Sequence, residues 1–419
     1  MHRIVRRVLR PKAPRTLLPW LPIRNTQPEV VARDHEVMTM SDGRRVADLS
    51  SVLVSTMFAD NHHLDHVRLD DMASLPPQYR YAPREEASRR LIDMFPVDGA
   101  TAAVWWTCTG SEALSTAIWA STRATGAPGV FTMDHSYHGS GVHTAQFGTD
   151  PRNLVKRSNH IVTVETPTLP RPQTPEDCAK ALAVSDRLFE SHPHAKTLVV
   201  EGSSGSALGA PWPDRYLEEL VKLARGKHRI QVVLDEIMSG LQRCGSGLHA
   251  AAMRGASDDF EVDFVCAGKA LTNGALPVAV TVVGDATEFE EDAWGHGSTF
   301  SGYRAGVDAT AATLDRLDAA GPKIDALEAD IREMAREVVD IPVVADVRGN
   351  GLLWTIELNA PGHYVNEFKW WLEWGGGVRI FGQQNRLLLA PSLDGLETAP
   401  SLEKLADGIH SYFYSQRLQ

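Results

Sequence analysis

Short apolar runs that halt at a polar residue recur through the middle of the chain. Val130-Phe131-Thr132-Met133 stops at Asp134, Thr197-Leu198-Val199-Val200 at Glu201, Gln231-Val232-Val233-Leu234 at Asp235, and Phe264-Val265-Cys266-Ala267 at Gly268-Lys269. These runs have the length of buried strands, and stretches with helical spacing separate some of them, at 175–191 and 214–225. The alternation predicts an α/β fold with a mainly parallel sheet whose ligand sits at the strand tips. Upstream, apolar-polar alternation on either side of Ser41-Asp42-Gly43 predicts a hairpin over 37–49, and Ala87, Leu91, Ile92 and Phe95 share one face of a helix over 85–95. A strand over 102–107 leads through Cys108-Thr109-Gly110-Ser111 into a helix carrying Leu114, Ile118 and Trp119.

Further strand and helix patterns follow at 277–283 and 305–319. The character changes near Pro322: a helix over 324–339, a strand-like stretch over 347–358, an aromatic-rich stretch over 368–374, a strand over 386–390 and a closing helix over 402–414. This reads as a smaller α+β lobe to which the first part of the chain also belongs. The expected organisation is an N-terminal arm and part of the small domain (1–60), a large domain (61–320) and a C-terminal small domain (321–419).

Composition narrows the function classes. At 419 residues, 43% hydrophobic and 23% charged, the chain can bury a large core. A formal charge of -11 argues against nucleic acid as a partner, and no apolar run is long enough to span a bilayer. Four widely spaced cysteines without a CxxC pair point away from zinc and disulfides and toward a cytoplasmic setting. His62, His63 and His66 follow no metal-ligand spacing and are expected in a solvated loop. Residues 1–25 are basic and prolines break their apolar part, so an arm is expected rather than a signal peptide, either loose or docked on a partner subunit through Trp20.

The chemistry lies at the strand ends. Asp235 and Lys269 end neighbouring strand patterns, and the pair suits pyridoxal 5'-phosphate: the amine can form a Schiff base with the aldehyde, and the carboxylate can keep the pyridine nitrogen protonated. The strand–small residue–helix turn at 108–113 suits the phosphate, because helix N-terminal N–H groups point at an anion.

An ordered set of segments carries a resemblance: Thr109-Gly110-Ser111-Glu112-Ala113, Tyr137-His138-Gly139, Glu201, Asp235-Glu236-Ile237, Gly240, Arg243-Cys244-Gly245, Lys269, Asn273-Gly274, Pro277, Thr299-Phe300-Ser301-Gly302 and Val347-Arg348-Gly349-Asn350-Gly351. Together they resemble the class III (ω-type) aminotransferases, pyridoxal-phosphate enzymes of fold type I, over roughly residues 35–415. The resemblance implies that Lys269 forms the Schiff base and moves the proton, Asp235 pairs with the pyridinium nitrogen, and Tyr137 and Ile237 flank the ring. It implies Gly110 and Ser111 at the phosphate and Glu201 supporting the pocket. His138 is implied on the substrate side, and Thr299 at the neighbouring subunit's cofactor in a homodimer with shared sites.

Three positions depart from the family pattern. Met238 stands where many members have a Gln that bonds the cofactor's phenolic oxygen. Leu388 stands where an Arg often holds the α-carboxylate, with Arg386 two residues earlier on the same sheet face, and Ser206 replaces the Glu that pairs with that Arg in some members. Losing both ion-pair partners suggests a rebuilt pocket. The expected function is transfer of an amino group from an amino donor to a carbonyl acceptor, a non-standard biosynthetic aldehyde or ketone, with Ser206 and Arg386 among the substrate-side positions. The alternative keeps the cofactor but makes the protein an aminomutase, racemase or decarboxylase.

Overall fold

A computed structural model describes residues 28–68, 79–97, 100–149, 166–172, 174–203, 211–213, 215–245, 260–286, 289 and 297–416. The basic arm and Ser206 lie outside the described residues. Strands β1 (Val30–Asp34), β2 (Val37–Met40) and β3 (Arg45–Asp48) form an antiparallel meander. The Ser41-Asp42-Gly43 turn is present, with Gly43 at φ +87° and the Asp42 carboxylate accepting from the Arg44 N–H at 3.2 Å. Strand β1 gave no sequence signal because all its residues are exposed, so no buried face patterns it.

The central sheet comprises β4 (Ala103–Thr107), β5 (Gly129–Met133), β6 (Thr168–Leu169), β7 (Ala195–Glu201), β8 (Gln231–Asp235), β9 (Phe264–Ala267) and β10 (Ala279–Val283). Its order is β4-β10-β9-β8-β7-β5-β6. Strands β5 to β9 are mutually parallel, and β10 runs against both of its neighbours. Parallel strands covered on both faces must be apolar on both, which is why the runs show no alternation. Val199 and Val233 meet Ala113, Leu114, Ala117 and Ile118 of the helix Gly110–Thr125. Leu198, Val200, Val232 and Leu234 face the opposite core, which includes Phe189 of the helix Pro175–Ser191.

Strands β11 (Val344–Asn350), β12 (Leu353–Leu358), β14 (Phe381–Gln383) and β15 (Arg386–Leu389) make a second sheet in the order β11-β12-β15-β14, while β13 (Val378–Arg379) pairs in parallel with β3. The stretch read as one strand over 347–358 is therefore a hairpin. It turns at Gly351, whose φ is +56° and where a Cβ would lie 2.2 Å from the Gly245 nitrogen. The aromatic-rich stretch falls in the helix Gly362–Trp371 and the turn after it, where Phe368 packs on Tyr412 and Phe413 of the closing helix Thr398–Gln416.

Two side chains stitch the sheets together. Arg243, fully buried, donates to the Pro391 carbonyl at 2.9 Å and to the Thr56 carbonyl at 2.6 Å. Asn273 accepts from the N–H groups of Met57 and Phe58 at 2.7 and 2.8 Å. The same amide donates to the carbonyls of Phe58 and Asp60 and to Asn61 Oδ1, at 3.0, 2.9 and 2.7 Å. Among the described residues no helix is long and apolar enough to cross a membrane.

Candidate active site

Parallel pairing places Glu201 beside Asp235 and Asp235 beside Cys266, so the tips of β7, β8 and β9 form one ledge. Lys269 starts the turn just past β9, with φ +48°, a conformation that non-glycine residues rarely adopt and that is often held at functional positions. A cavity of about 200 Å³ opens there. Of the residues singled out from the sequence, Gly110, Ser111, Tyr137, His138, Glu201, Asp235, Ile237 and Lys269 all line it. Ser203, Met238, Ser239 and Leu353 join them.

The Asp235 carboxylate is held at both oxygens: Oδ2 lies 2.9 Å from His138 Nδ1, and Oδ1 accepts from the Ile237 N–H at 3.1 Å. His138 is fully buried and its Nε2 has no hydrogen-bond partner among the described residues. His138, expected on the substrate side, lines the cavity and also backs the Asp235 carboxylate, where it can orient that group. Glu201 is buried beside them, and burial pushes its carboxyl up to about 7. His138 opposes that shift, Asp235 reinforces it, and Arg171 and the Tyr137 N–H oppose it. Trp212 seals this corner, its Nε1 donating to the Glu201 carbonyl at 2.9 Å.

At the opposite end, Thr109 accepts from the Glu112 N–H at 3.2 Å, and the Glu112 carboxylate accepts from the Cys108 N–H at 2.8 Å. This reciprocal cap starts the helix Gly110–Thr125, whose first residues, Gly110 and Ser111, line the cavity. The walls need small residues: a Cβ at Gly110 or at Gly268 would lie 3.0 Å from Ile237 Cδ1, and one at Gly139 would lie 2.2 Å from Ser111 Oγ. A flat slot, an anion cradle at one end and a buttressed carboxylate at the other fit a phosphorylated pyridine.

A family model described as aminotransferase class-III matches residues 24–393. The chain belongs to the class III aminotransferases. Pyridoxal phosphate is the cofactor of that family, and the residues lining the cavity fit it. Among curated relatives, this aminotransferase chain is 26% identical over 367 residues to gamma aminobutyrate transaminase 2 of Solanum lycopersicum, covering 79% of this chain and 77% of that one. It is 26% identical over 301 residues to adenosylmethionine-8-amino-7-oxononanoate aminotransferase of Aquifex aeolicus, covering 65% and 63%. The fold, pyridoxal-phosphate fold type I, is shared with taurine:2-oxoglutarate aminotransferase from Bifidobacterium kashiwanohense, with a TM-score of 0.79, 21% identity and 91% and 92% coverage. An aminotransferase from Vibrio fluvialis gives a TM-score of 0.81 at 19% identity, covering 92% and 93%.

Two of the sequence-derived positions lie away from this cavity. Thr299 is exposed on the loop 297–303 and is not part of the chain's own cavity wall. Arg386 pairs with Glu357 on the second sheet, at 3.3 Å. Arg171, at the tip of β6, gave no signal in the sequence: a lone Arg between two prolines has no diagnostic spacing. His63 is not in a purely solvated loop. It is half-buried, its ring centroid 5.6 Å from that of Phe58 and its Nδ1 3.0 Å from Arg316, and burial followed by that cation lowers its pKa to about 4.

Proposed function

We propose that this aminotransferase moves an amino group from an amine donor to a carbonyl acceptor that is not an ordinary α-keto acid, in a biosynthetic reaction. The observation that carries the reading is the convergence of Lys269, Asp235 and the Gly110-Ser111 turn on one cavity whose substrate side is apolar. Leu388, only 2% exposed, packs with Val54, Leu353, Met238 and Phe381, so the family's carboxylate anchor has been replaced by hydrocarbon.

Bound in the cavity, pyridoxal phosphate supplies an aldehyde carbon and an electron-withdrawing ring. Lys269 would hold that group through its amine and would move the proton at the substrate carbon as general base and acid. Asp235 would keep the ring nitrogen protonated, its carboxylate held in direction by His138 and the Ile237 N–H. Tyr137 and Ile237 would flank the ring, Gly110 and Ser111 would hold the phosphate, and Glu201 would support the wall beside Asp235. The Met238 thioether offers no hydrogen bond to the phenolic oxygen. We assign the exposed Thr299 loop to the cofactor phosphate of a second copy, in a homodimer with shared sites.

The test adds amino donors one at a time to the cofactor-loaded protein and follows its visible absorbance, with borohydride trapping and peptide mapping in parallel. Bleaching by a donor, label on Lys269 and transfer to an aldehyde or ketone acceptor are expected. Label on another residue would overturn the assignment of Lys269, and rapid amination of common α-keto acids with no preference for another carbonyl would overturn the acceptor class. The relatives matched above are transaminases by name, and no feature of the cavity favours mutase, racemase or decarboxylase chemistry over transfer.

A further inference from the structure

The helix Gly362–Trp371 and the turn after it carry large aromatic side chains at the surface, far from any catalytic use. Tyr364 and Trp371 are 40% and 44% exposed, and Trp370 and Trp374 are partly exposed. The core does not require them, because Phe368 and Leu372 fill the inward positions of the same segment. Trp371 is seated on Tyr412 of the closing helix, with ring centroids 5.7 Å apart. Trp370 and Trp374, four residues apart, lie with their ring planes 4° from parallel and their centroids 6.2 Å apart. The Arg44 guanidinium sits 3.8 Å from the centre of the Trp374 ring, so this face already holds one cation against an indole. A surface aromatic cluster of this kind marks an interaction site.

The hairpin fixes what lies next to it. Arg44 follows the Ser41-Asp42-Gly43 turn, and Glu29 is tied to that same turn: its carbonyl accepts from the Ser41 N–H at 2.7 Å, and its own N–H donates to Ser41 Oγ at 3.1 Å. The chain ahead of Pro28 therefore enters the described structure beside the arginine that covers Trp374. The sequence leading in is basic and proline-rich. Residues 11–24 hold Lys12, Arg15 and Arg24, no acid, and two pairs of prolines three residues apart, Pro11 with Pro14 and Pro19 with Pro22. Prolines at that spacing share one edge of a polyproline helix, the form of peptide that aromatic-lined grooves take. Arginines stack on indoles as Arg44 does. Glu367 and Glu373 stand among the aromatic positions, while Lys369 is turned to the Gly382 carbonyl at 2.8 Å. The reach is sufficient: seven residues from Pro22 to Glu29 bridge up to about 24 Å. The face from Tyr364 to Trp374 is about 15 Å long.

We infer that this aromatic face is the docking site of residues 11–24 of the same chain, with the prolines against the tryptophans and the arginines stacked beside Arg44. The basic start of the chain thereby covers an aromatic surface that would otherwise meet solvent, and the small domain gains a tie that involves neither sheet. The inference does not rest on the transaminase reading.

Limited trypsin digestion of the full-length, cofactor-loaded protein tests it, with cleavage at each site followed by mass spectrometry. Tethering gives the segment a millimolar effective concentration, so cleavage after Lys12, Arg15 and Arg24 should be about ten-fold slower than in a variant carrying Trp370→Ser and Trp371→Ser. Cleavage after Arg3 and Arg6, ahead of the docked segment, should be equal in the two proteins. Circular dichroism and the cofactor's absorbance report whether the variant is folded. A second measurement needs no variant: a synthetic peptide of residues 11–24 at about 5 mM should speed cleavage of the wild-type segment, and the same peptide with its four prolines replaced by serine should not. Equal cleavage in wild type and folded variant would overturn the docking, as would a wild-type peptide without effect or equal effects of the two peptides. Protection that grows with protein concentration from about 1 to 100 µM would seat the segment on a second copy and overturn docking within one chain.

Discussion

Asp235 lines the cavity, while Leu388 packs against Leu353 and Met238 of the same lining, and different physics holds the two regions. The Asp235 wall is polar and over-determined: each carboxylate oxygen has its own partner, His138 fully buried and Ile237 partly so, and the lysine turn beyond is kept in a left-handed conformation. The Leu388 wall is hydrocarbon, fixed by close packing with Val54, Leu353 and Phe381, and its charges stand further out as paired ions. A directional network tolerates almost no substitution, because each member leaves a buried group unsatisfied when lost. A packed apolar wall tolerates replacement by residues of similar volume. The chemistry is therefore fixed on one side of the cleft, while the substrate can be changed on the other.

Substitutions on the two walls can break this contrast. The largest effect belongs to Lys269→Ala, which should lower the half-reaction rate about 10⁴-fold with the fold intact by circular dichroism. A loss smaller than ten-fold would mean another base carries the proton. Asp235→Asn should follow at about 10²–10³-fold, measured the same way. Arg243→Leu takes the guanidinium donor from the Pro391 carbonyl and leaves the Thr56 carbonyl with the Ser392 hydroxyl at 3.3 Å, and should cost about 2–4 kcal/mol in a denaturant titration. An unchanged midpoint would show that the stitch between the sheets is expendable.

The pH dependence sharpens the polar side. The Glu201 carboxyl has its ordinary value of 4.5 when unfolded and about 7 in the fold, so between those values the folded chain keeps a proton that the unfolded chain has lost. Stability should fall as pH climbs through that window, by at most about 3 kcal/mol, and level off above it. Glu201→Gln should flatten this segment of the stability curve, whereas a curve unchanged by the substitution would remove Glu201 as its source. The smallest effect is expected across the cleft. Met238→Gln restores a hydrogen-bond donor with little change in volume and should alter the half-reaction rate less than ten-fold, visible mainly as a shift in the pH dependence of the cofactor's absorbance.

What could be read in the chain follows the same divide. Asp235, Lys269 and the Gly110-Ser111 turn were legible because apolar runs ending in chemically distinctive residues signal strand tips, and because the chemistry restricts which residues can stand there. His138 was visible as a position, but its contact with Asp235 was not. Its burial behind Asp235 depends on how β5 and β8 lie in the sheet, with β7 between them, which no local pattern reveals. The Arg386–Glu357 pair and Arg171 were less legible still. Register in one sheet sets Arg386 beside Glu357, and a charged residue in a loop or on a half-exposed strand has many unremarkable neighbours in sequence. The hairpin at 344–358 was read as one strand because its turn, Asn350-Gly351, sits within an otherwise continuous β pattern.

Asn273 precedes a glycine, the sequence context in which asparagine most readily loses its amide nitrogen with time. Here that nitrogen donates to three oxygens of the segment 58–61, only a turn away from the reactive amine. Conversion to aspartate would set a negative charge against those oxygens and push the N-terminal segment off the lysine loop. Old preparations of the enzyme should thus lose activity by a chemical clock at one side chain, well before the chain as a whole unfolds.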